Sequence, residues 1–214
     1  METKDKPIYV VLTSYPPRIA NVPRVLETIR EQTVKPDGII LVLAEKDKEL
    51  ARYVEGMEDV LVVITRKDTK AWKKLFPAFS ALPDDAYIVT IDDDRLYLPG
   101  MIEEMLATAK MHPGMPVTGN HYLFRNLRCH CGNASMVQKC HFEGWEQYYL
   151  TLWKQAPSID IFCTMLAKKN GYLYTPTPTD WEYITPTYNE GEKFSKPGMV
   201  PASWNVIAQT FGWE

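Results

Sequence analysis

The sequence predicts an α/β protein with a mostly parallel central sheet flanked by helices. Three observations support this fold class. Short runs of β-branched and apolar residues recur through the first half, and each run is continuous rather than alternating, as in strands buried on both faces. Segments with helical spacing or turn residues separate these runs. This alternation of strands and helices is the order that builds a parallel sheet covered by helices.

The elements of the first half follow in order. The first strand is predicted at Ile8–Thr13, where "IYVVLT" forms one β-favouring run. A helix follows, with Asn21 as its N-cap and Pro23 in its first turn. The later elements are strands at 39–44, 60–65 and 86–91, an exposed charged helix at 45–55, a short helix begun or interrupted by Pro77, and an amphipathic helix at 101–111.

The pattern changes after Gly114. A strand and its turn are predicted at 116–124, and the aromatic stretch 144–153 is ambiguous between helix and strand. The apolar run 158–167 is predicted as a strand, with 171–176 as its partner. A Pro- and Thr-rich loop with short helical pieces covers 175–198, and a helix is predicted at 202–213. No internal repeat or linker divides the sequence, so one domain spanning 1–214 is expected.

Composition argues against several classes of function. The formal net charge is -3 and no basic block stands out, so nucleic acid is not an expected partner. The longest apolar run, "GIILVLA", is too short to span a bilayer. The stretch "METKDKP" lacks the apolar core of a signal peptide, so a cytoplasmic protein with reduced thiols is expected.

Three of the four cysteines cluster with two histidines in "CHCGNASMVQKCH". Cys129, Cys131, Cys140 and His141 have the ligand types of a tetrahedral zinc site. The usual Cys-x-x-Cys spacing is absent, so small, partly buried thiols in a loop or hairpin are the competing interpretation. The sequence leaves both open.

Three consecutive acids end the fourth predicted strand. In "YIVTIDDDRLYLPG", Asp92, Asp93 and Asp94 stand together although like charges repel. Either positive charge lies among them or they form a solvated turn. Ligands of parallel sheets bind beyond the carboxyl ends of the strands, and the stretches 14–18 and 66–74 are predicted at the same edge. We therefore expect a functional cluster, with Asp92 and Asp94 on one side of an extended chain and Asp93 on the other.

Several stretches resemble bacterial glycosyltransferases of the GT-A fold, in particular family 2-like sugar transferases of the capsule and lipopolysaccharide type. They are "VVLTSYPPRIANVPRVLETIREQTVKPDGIILVLAE", "KKLFPAF" and "YIVTIDDDRLYLPGMIEEML", and the likeness is best over 8–106. The aspartate run matches the family's Asp-x-Asp motif. The resemblance implies Mn²⁺ or Mg²⁺ held by Asp92 and Asp94 at a nucleotide diphosphate, with Asp93 at the ribose or donor sugar.

The same resemblance implies the rest of the nucleotide site. The loop after the first strand would hold the base and ribose, and it offers Thr13, Ser14, Tyr15 and Arg18. A lysine pair ahead of a helix would complement the diphosphate, and here it is Lys73 and Lys74. The chain would then divide into a nucleotide-sugar-binding half at about 8–112 and an acceptor-side half at about 113–214.

The catalytic base has no match at the position where the family carries it. The family's acid precedes a Trp near the start of the last helix, and this sequence has Ser203 there. Asp180 is the first substitute, with Glu182 and Asp160 as further candidates. Two histidines, His121 and His130, are candidates for the metal or diphosphate.

The resemblance implies a metal-dependent glycosyltransferase that moves a sugar from a nucleoside diphosphate sugar, with UDP expected, to a hydroxyl of a glycan or lipid-linked saccharide. Peripheral association with the inner face of the plasma membrane is left open. A nucleotidyltransferase-like enzyme is one alternative, although "SYPPR" is not the Gly-rich loop it expects. A non-catalytic binding module stapled by zinc is the other alternative.

Overall fold

The computed structural model describes residues 6–119, 121–130, 132–181 and 199–213. The strands within these ranges are β1 (Ile8–Thr13), β2 (Gly38–Ala44), β3 (Val60–Thr65), β4 (Tyr87–Thr90), β5 (Val117–Thr118), β6 (Leu123–Phe124), β7 (Leu127–Arg128), β8 (Ser135–Val137) and β9 (Thr175–Pro176). The α-helices are α1 (Val22–Arg30), α2 (Met101–Met111), α3 (Glu146–Leu152), α4 (Ile159–Lys169) and α5 (Met199–Phe211).

The main sheet has seven strands within the described residues, in the order β3-β2-β1-β4-β8-β5-β9. β1 to β4 pair in parallel, β8 runs antiparallel to both β4 and β5, and β9 is parallel to β5. The prediction of a mostly parallel α/β sheet is confirmed. The sheet is continuous from the first half of the chain into the second, because β8 pairs directly with β4.

A hydrophobic core covers each face of the sheet. α1 and α2 pack on one face, with Leu26 and Met105 among their fully buried side chains. On the other face lie α4, α5 and the short helix Phe76–Ala81, around a group of aromatic rings that includes Trp72, Phe76 and Phe162. Burial of both faces explains why the strand runs in the sequence are continuously apolar.

The segment predicted as a strand at 158–167 is instead the helix α4. Ser158 caps it, with its side-chain oxygen accepting a hydrogen bond from the backbone N–H of Ile161. Eight of the residues from Ile159 to Ala167 are buried. The segment therefore lacks the polar face at helical spacing by which an amphipathic helix is identified from sequence. The expected partner of this strand forms β9, which pairs with β5.

Several other elements differ in kind from their predictions. The charged helix at 45–55 is a 3-10 segment, Glu45–Val54, interrupted at Asp47. The short helix around Pro77 is two 3-10 segments, Lys70–Lys74 and Phe76–Ala81. The ambiguous stretch 144–153 contains α3, and the last helix is present as α5. The helical pieces predicted in the long loop lie outside the described residues beyond Trp181. No helix in the part of the chain that the structure describes is long and apolar enough to cross a membrane.

Gly119 lies where β5, β8 and α2 come closest together. A Cβ atom there would lie 2.9 Å from the Cβ of Ala134, 3.0 Å from Cδ1 of Trp181 and 3.1 Å from Cε of Met105. We expect Gly119→Ala to lower the free energy of unfolding by roughly 1–3 kcal/mol, because the added methyl overpacks this contact. Urea unfolding measures the change. Gly100→Ala, where nothing lies within 4 Å, is the control, and an equal loss in both variants would contradict the packing argument.

Candidate functional site

Segments from both halves of the chain meet beyond the carboxyl ends of the parallel strands. β1 ends next to the loop that carries Ser14 and Arg18, and β4 ends at the three aspartates. The 3-10 segment Lys70–Lys74 lies beside them, and the N-terminal turn of α4 brings in Asp160. We call this group of residues the rim cluster.

Asp93 connects the loop after β1 to the end of β4. Its side chain accepts a hydrogen bond of 2.6 Å from the Ser14 hydroxyl, and Nη1 of Arg18 lies 3.4 Å from its other oxygen. Asp93 is only 5% exposed, and burial raises the pKa of its carboxyl above the ordinary value. Asp93 therefore connects the loop after β1 to the end of β4, and its contact with ribose or donor sugar stays a prediction.

Asp92 and Asp94 are the more accessible members of the run. Their side chains are 37% and 24% exposed. Asp94 is paired with Arg18 at 2.8 Å, so Asp93 and Asp94 share one guanidinium, and Asp92 is paired with Lys74. The expected alternation, with Asp93 apart from its neighbours, is not kept, because β4 ends at Thr90 and the chain turns at the aspartates.

Positive side chains offset the electrostatic repulsion among Asp92, Asp93 and Asp94. Arg18 and Lys74 make the two close contacts, and Nε of Arg95 lies 3.9 Å from Asp94. The three negative charges thus face three positive ones before any ligand binds. The hydroxyl of Tyr97 also accepts a 2.8 Å hydrogen bond from the backbone N–H of Asp92, which fixes the turn.

Lys74 is the buried cation of the rim cluster. Its ammonium group donates to Asp92 and to the backbone carbonyl of Gly132 at 2.8 Å. Burial lowers the pKa of Lys74, but the charge and hydrogen bond of Asp92 and the charges of Asp160 and Asp93 together outweigh burial, so the net pKa is raised. The predicted lysine pair is divided, because Lys73 instead contacts Asp68 at 3.1 Å, away from the aspartate run.

The negative charge of Asp160 is only partly balanced by its surroundings. Its Oδ1 atom is buried and has no hydrogen-bond partner among the described residues. Burial raises the pKa of Asp160 to about 7, and the charge of Lys74 opposes this shift only in part. A Cβ on Gly132 would lie 3.1 Å from that oxygen and 3.5 Å from Nζ of Lys74, so the glycine gives these two groups room to approach.

Ser203 touches the same turn of α4. Its hydroxyl accepts a 3.0 Å hydrogen bond from the backbone N–H of Ser158, and Ser203 is fully buried. The position at which the resembling family carries an acid therefore contacts Ser158, which precedes Asp160 by two residues. A carboxylate is present in this region of space, but a different helix supplies it.

The other predicted residues lie near this edge in different roles. The Thr13 hydroxyl donates to the carbonyl of Val42, and Tyr15 stacks under Arg18, with the guanidinium carbon 5.6 Å from the ring centre. Asp180 is half-buried beside Trp181, whose backbone N–H donates to the carbonyl of Gly119. Glu182 lies outside the described residues.

The ring contacts of His121 and His130 are with Thr177 and Tyr174, and neither ring bonds to the aspartate run. Nε2 of His121 bonds the carbonyl of Thr177 at 2.7 Å. His130 bonds the hydroxyl of Tyr174 through Nδ1 at 3.0 Å, and burial lowers the pKa of His130 to about 3. His130 is therefore neutral at physiological pH and adds no charge to the cluster.

The zinc hypothesis finds little support in the same region. Both ring nitrogens of His141 are bonded to backbone, because Nδ1 accepts from Gln138 and Nε2 lies 3.1 Å from the carbonyl of Gly114. Cys129 is buried, Cys140 is exposed, and Cys131 lies outside the described residues. Within the described ranges, no group of three or more His, Cys, Asp or Glu side chains is placed to hold a metal ion.

A divalent ion bound at the aspartates together with a diphosphate would need fewer than three protein ligands. Mg²⁺ is commonly bound by one or two carboxylates, with substrate phosphates and water completing its shell. Asp92 and Asp94 are both partly exposed, and they are hard oxygen ligands at the edge where phosphates would lie. The residues present thus fit an ion that arrives with a diphosphate.

Comparison with known proteins supports the fold class. No protein family and no curated protein matches the sequence. Among solved structures, the chain is similar to 4-diphosphocytidyl-2C-methyl-D-erythritol synthase from Anaerococcus prevotii. The TM-score is 0.54 at 12% identity, over 94% of this chain and 96% of that one. At this identity the likeness concerns the fold alone.

Proposed function

We propose that the protein is a glycosyltransferase that transfers a sugar from a nucleoside diphosphate sugar, with UDP as the expected nucleotide, to a hydroxyl of a glycan or lipid-linked saccharide. The observation that carries this proposal is the rim cluster. Two partly exposed carboxylates, a buried lysine and a carboxylate with one unpartnered oxygen meet where a parallel sheet binds its ligands. Transfer from a diphosphate needs each of these charge types.

The loop after β1 is the proposed nucleotide site. Tyr15 is half-buried and offers one face to a uracil ring, while Thr13 and Ser14 border the ribose. Arg18 and Lys74 complement the diphosphate, and Lys73 adds positive charge behind them. Since Asp93 ties Ser14 to Arg18, base and phosphate contacts are held in a fixed relation.

Asp92 and Asp94 are the proposed ligands of Mn²⁺ or Mg²⁺. When bound, the ion neutralises charge on the departing diphosphate. The protein's own contribution is to present the two carboxylates on a turn fixed by Tyr97, and to keep Lys74 and Arg18 beside them. These cations stabilise the same developing charge from the protein side.

For the base we place Asp160 ahead of Asp180. A general base works best when its pKa is near the working pH, and the pKa of Asp160 is raised to about 7. Its unpartnered oxygen is free to accept a proton from an acceptor hydroxyl. Asp180 remains the second candidate, since it lies on the segment that follows β9.

A nucleotidyltransferase-like reaction is the second candidate function. The structural neighbour favours it, because its name describes the synthesis of a cytidine diphosphate ester. The loop between β1 and α1 argues against it, since "SYPPR" has no glycine with which to wrap a triphosphate. Binding of CTP or UTP in preference to UDP would favour this reaction over sugar transfer.

Calorimetric titration with nucleoside diphosphates, with and without Mn²⁺, tests the proposed site. UDP is expected to bind best and more tightly with Mn²⁺. Asp94→Ala is expected to abolish the effect of Mn²⁺ on UDP affinity, because one of two protein ligands is lost. Glu103→Ala on α2 is a matched control with the same loss of charge, and it should retain the Mn²⁺ effect. An unchanged Mn²⁺ effect in Asp94→Ala would contradict the ligand assignment.

A further inference from the structure

A cleft of about 290 Å³ lies outside the rim cluster. The β6–β7 hairpin, α4 and the segment leading into β9 form its walls. Thr164 and Tyr174 line it, and both hydrogen-bond His130, through its backbone N–H and its ring respectively. The walls of the cleft are therefore connected to one another through His130.

The charge of the cleft is positive. Arg128 and Lys168 line it, and none of the described residues that line it is acidic. Arg128 donates to the backbone carbonyl of His121, and Lys168 lies 5.0 Å from the ring centre of Trp213. Within the described residues, neither side chain forms an ion pair. Two cations without a carboxylate partner favour an anionic ligand.

The edge of the cleft is apolar and open to solvent. Leu123 and Leu173 line it and are 51% and 57% exposed, and Tyr122 next to Leu123 is 48% exposed. A free anion would contact the two cations and leave these leucines in water. A ligand that is anionic at one end and apolar at the other uses both parts of the surface.

We propose that this cleft surface, defined by Leu123, Arg128, Lys168 and Leu173, docks on an anionic lipid membrane. The two cations take the headgroup phosphate, and the two leucines enter the boundary between headgroups and acyl chains. Trp213 beside Lys168 is of the residue type that occupies this boundary. The proposal names a surface and does not depend on sugar transfer.

Sedimentation with vesicles tests the proposal. The wild-type chain is expected to bind vesicles of phosphatidylcholine mixed with phosphatidylglycerol, and to bind pure phosphatidylcholine far more weakly. Each basic residue contributes about fivefold to such binding, so Arg128→Gln/Lys168→Gln should bind the mixed vesicles about 25-fold more weakly. Arg24→Gln/Lys110→Gln removes the same charge from α1 and α2, on the opposite face of the sheet, and should bind nearly as the wild type does.

A second variant separates a lipid from free phosphate. Leu123→Ser/Leu173→Ser keeps both cations and is expected to lose vesicle binding. Equal loss in the two charge variants, or vesicle binding that survives both serine substitutions, would overturn the proposal. So would titration of inorganic phosphate showing binding that depends on Arg128 and Lys168 while vesicles do not bind at all. Thermal melts of each variant establish that it is folded.

Discussion

Replacing Lys74 by methionine is expected to lower the free energy of unfolding by about 3 kcal/mol and to abolish UDP binding. Methionine fills a similar volume but leaves Asp92 and Asp160 facing each other without a cation. Removing one partner of a buried ion pair commonly costs about 3–5 kcal/mol, and the partial exposure of Asp92 places this pair at the lower end.

The loss caused by Lys74→Met should depend on pH in one direction. Burial raises the pKa of Asp92, but the charge and hydrogen bond of Lys74, with the charges of Arg95 and Arg18, together lower it by more, so the net pKa lies below the ordinary value. The stabilisation is therefore present above the unfolded pKa of about 4 and is lost as pH falls through the lower folded pKa. The difference between wild type and variant should be largest at neutral pH and should shrink in acid.

Lys73→Met is the contrast for that experiment. Lys73 is also buried, but its partner Asp68 keeps Lys46 and Lys70, each at 2.9 Å. The loss of stability should therefore be smaller than for Lys74→Met. Urea unfolding at several pH values measures both variants, and equal losses would show that the Lys74 cluster has no special energetic weight.

Replacement of Asp160 by asparagine is expected to raise stability and to lower activity, and both effects should be large. Asp160→Asn should raise the free energy of unfolding by roughly 1–3 kcal/mol above pH 7, since the variant has no buried charge to desolvate. The pKa of Asp160 is raised to about 7 in the folded state, so the wild type loses stability as pH rises from about 4 to about 7. Below pH 4 the two proteins should be nearly equally stable.

Activity should change the other way. Loss of a general base commonly lowers the rate by about 10²–10⁴-fold, and the wild-type rate should itself fall below about pH 7 as Asp160 is protonated. UDP release from a panel of UDP-sugars gives the rate. Asp180→Asn is the matched control. If Asp180→Asn is inactive and Asp160→Asn retains activity, the base is Asp180 and our order of candidates is wrong.

The sheet could be predicted from sequence because the burial of a strand is visible in its own residues, as a continuous apolar run. β1, β2 and β4 are mostly buried, and each appears as one apolar run bounded by turn residues. The edge strand β3 is also one apolar run, although Leu61 and Ile64 are exposed. The same burial hid α4, since a helix covered on nearly every side has no polar stripe. Strand pairing was equally hidden, because two residues such as Val117–Thr118 carry no pairing signal.

The site was predictable where chemistry is local in sequence. Three adjacent aspartates predicted a charged cluster, and the structure places Arg18 and Lys74 against them. Which lysine contacts the aspartate run was not predictable, because Lys73 and Lys74 are neighbours on one 3-10 segment and both are buried. The carbonyl of Gly132 and the hydroxyl of Tyr97 were missed, since neither residue type carries a signal without the fold.

In the main sheet, within the described residues, β8 runs antiparallel to its neighbours, and this direction decides which residues reach the ligand edge. Because β8 runs against β4, its first residue, Ser135, lies opposite Thr90 at the ligand edge. The described residues just before β8, Asn133 and Ala134, are therefore brought to that edge, while β1 to β4 keep their parallel pairing. A change in the length of this stretch would alter the ligand edge without changing the pairing of the parallel strands.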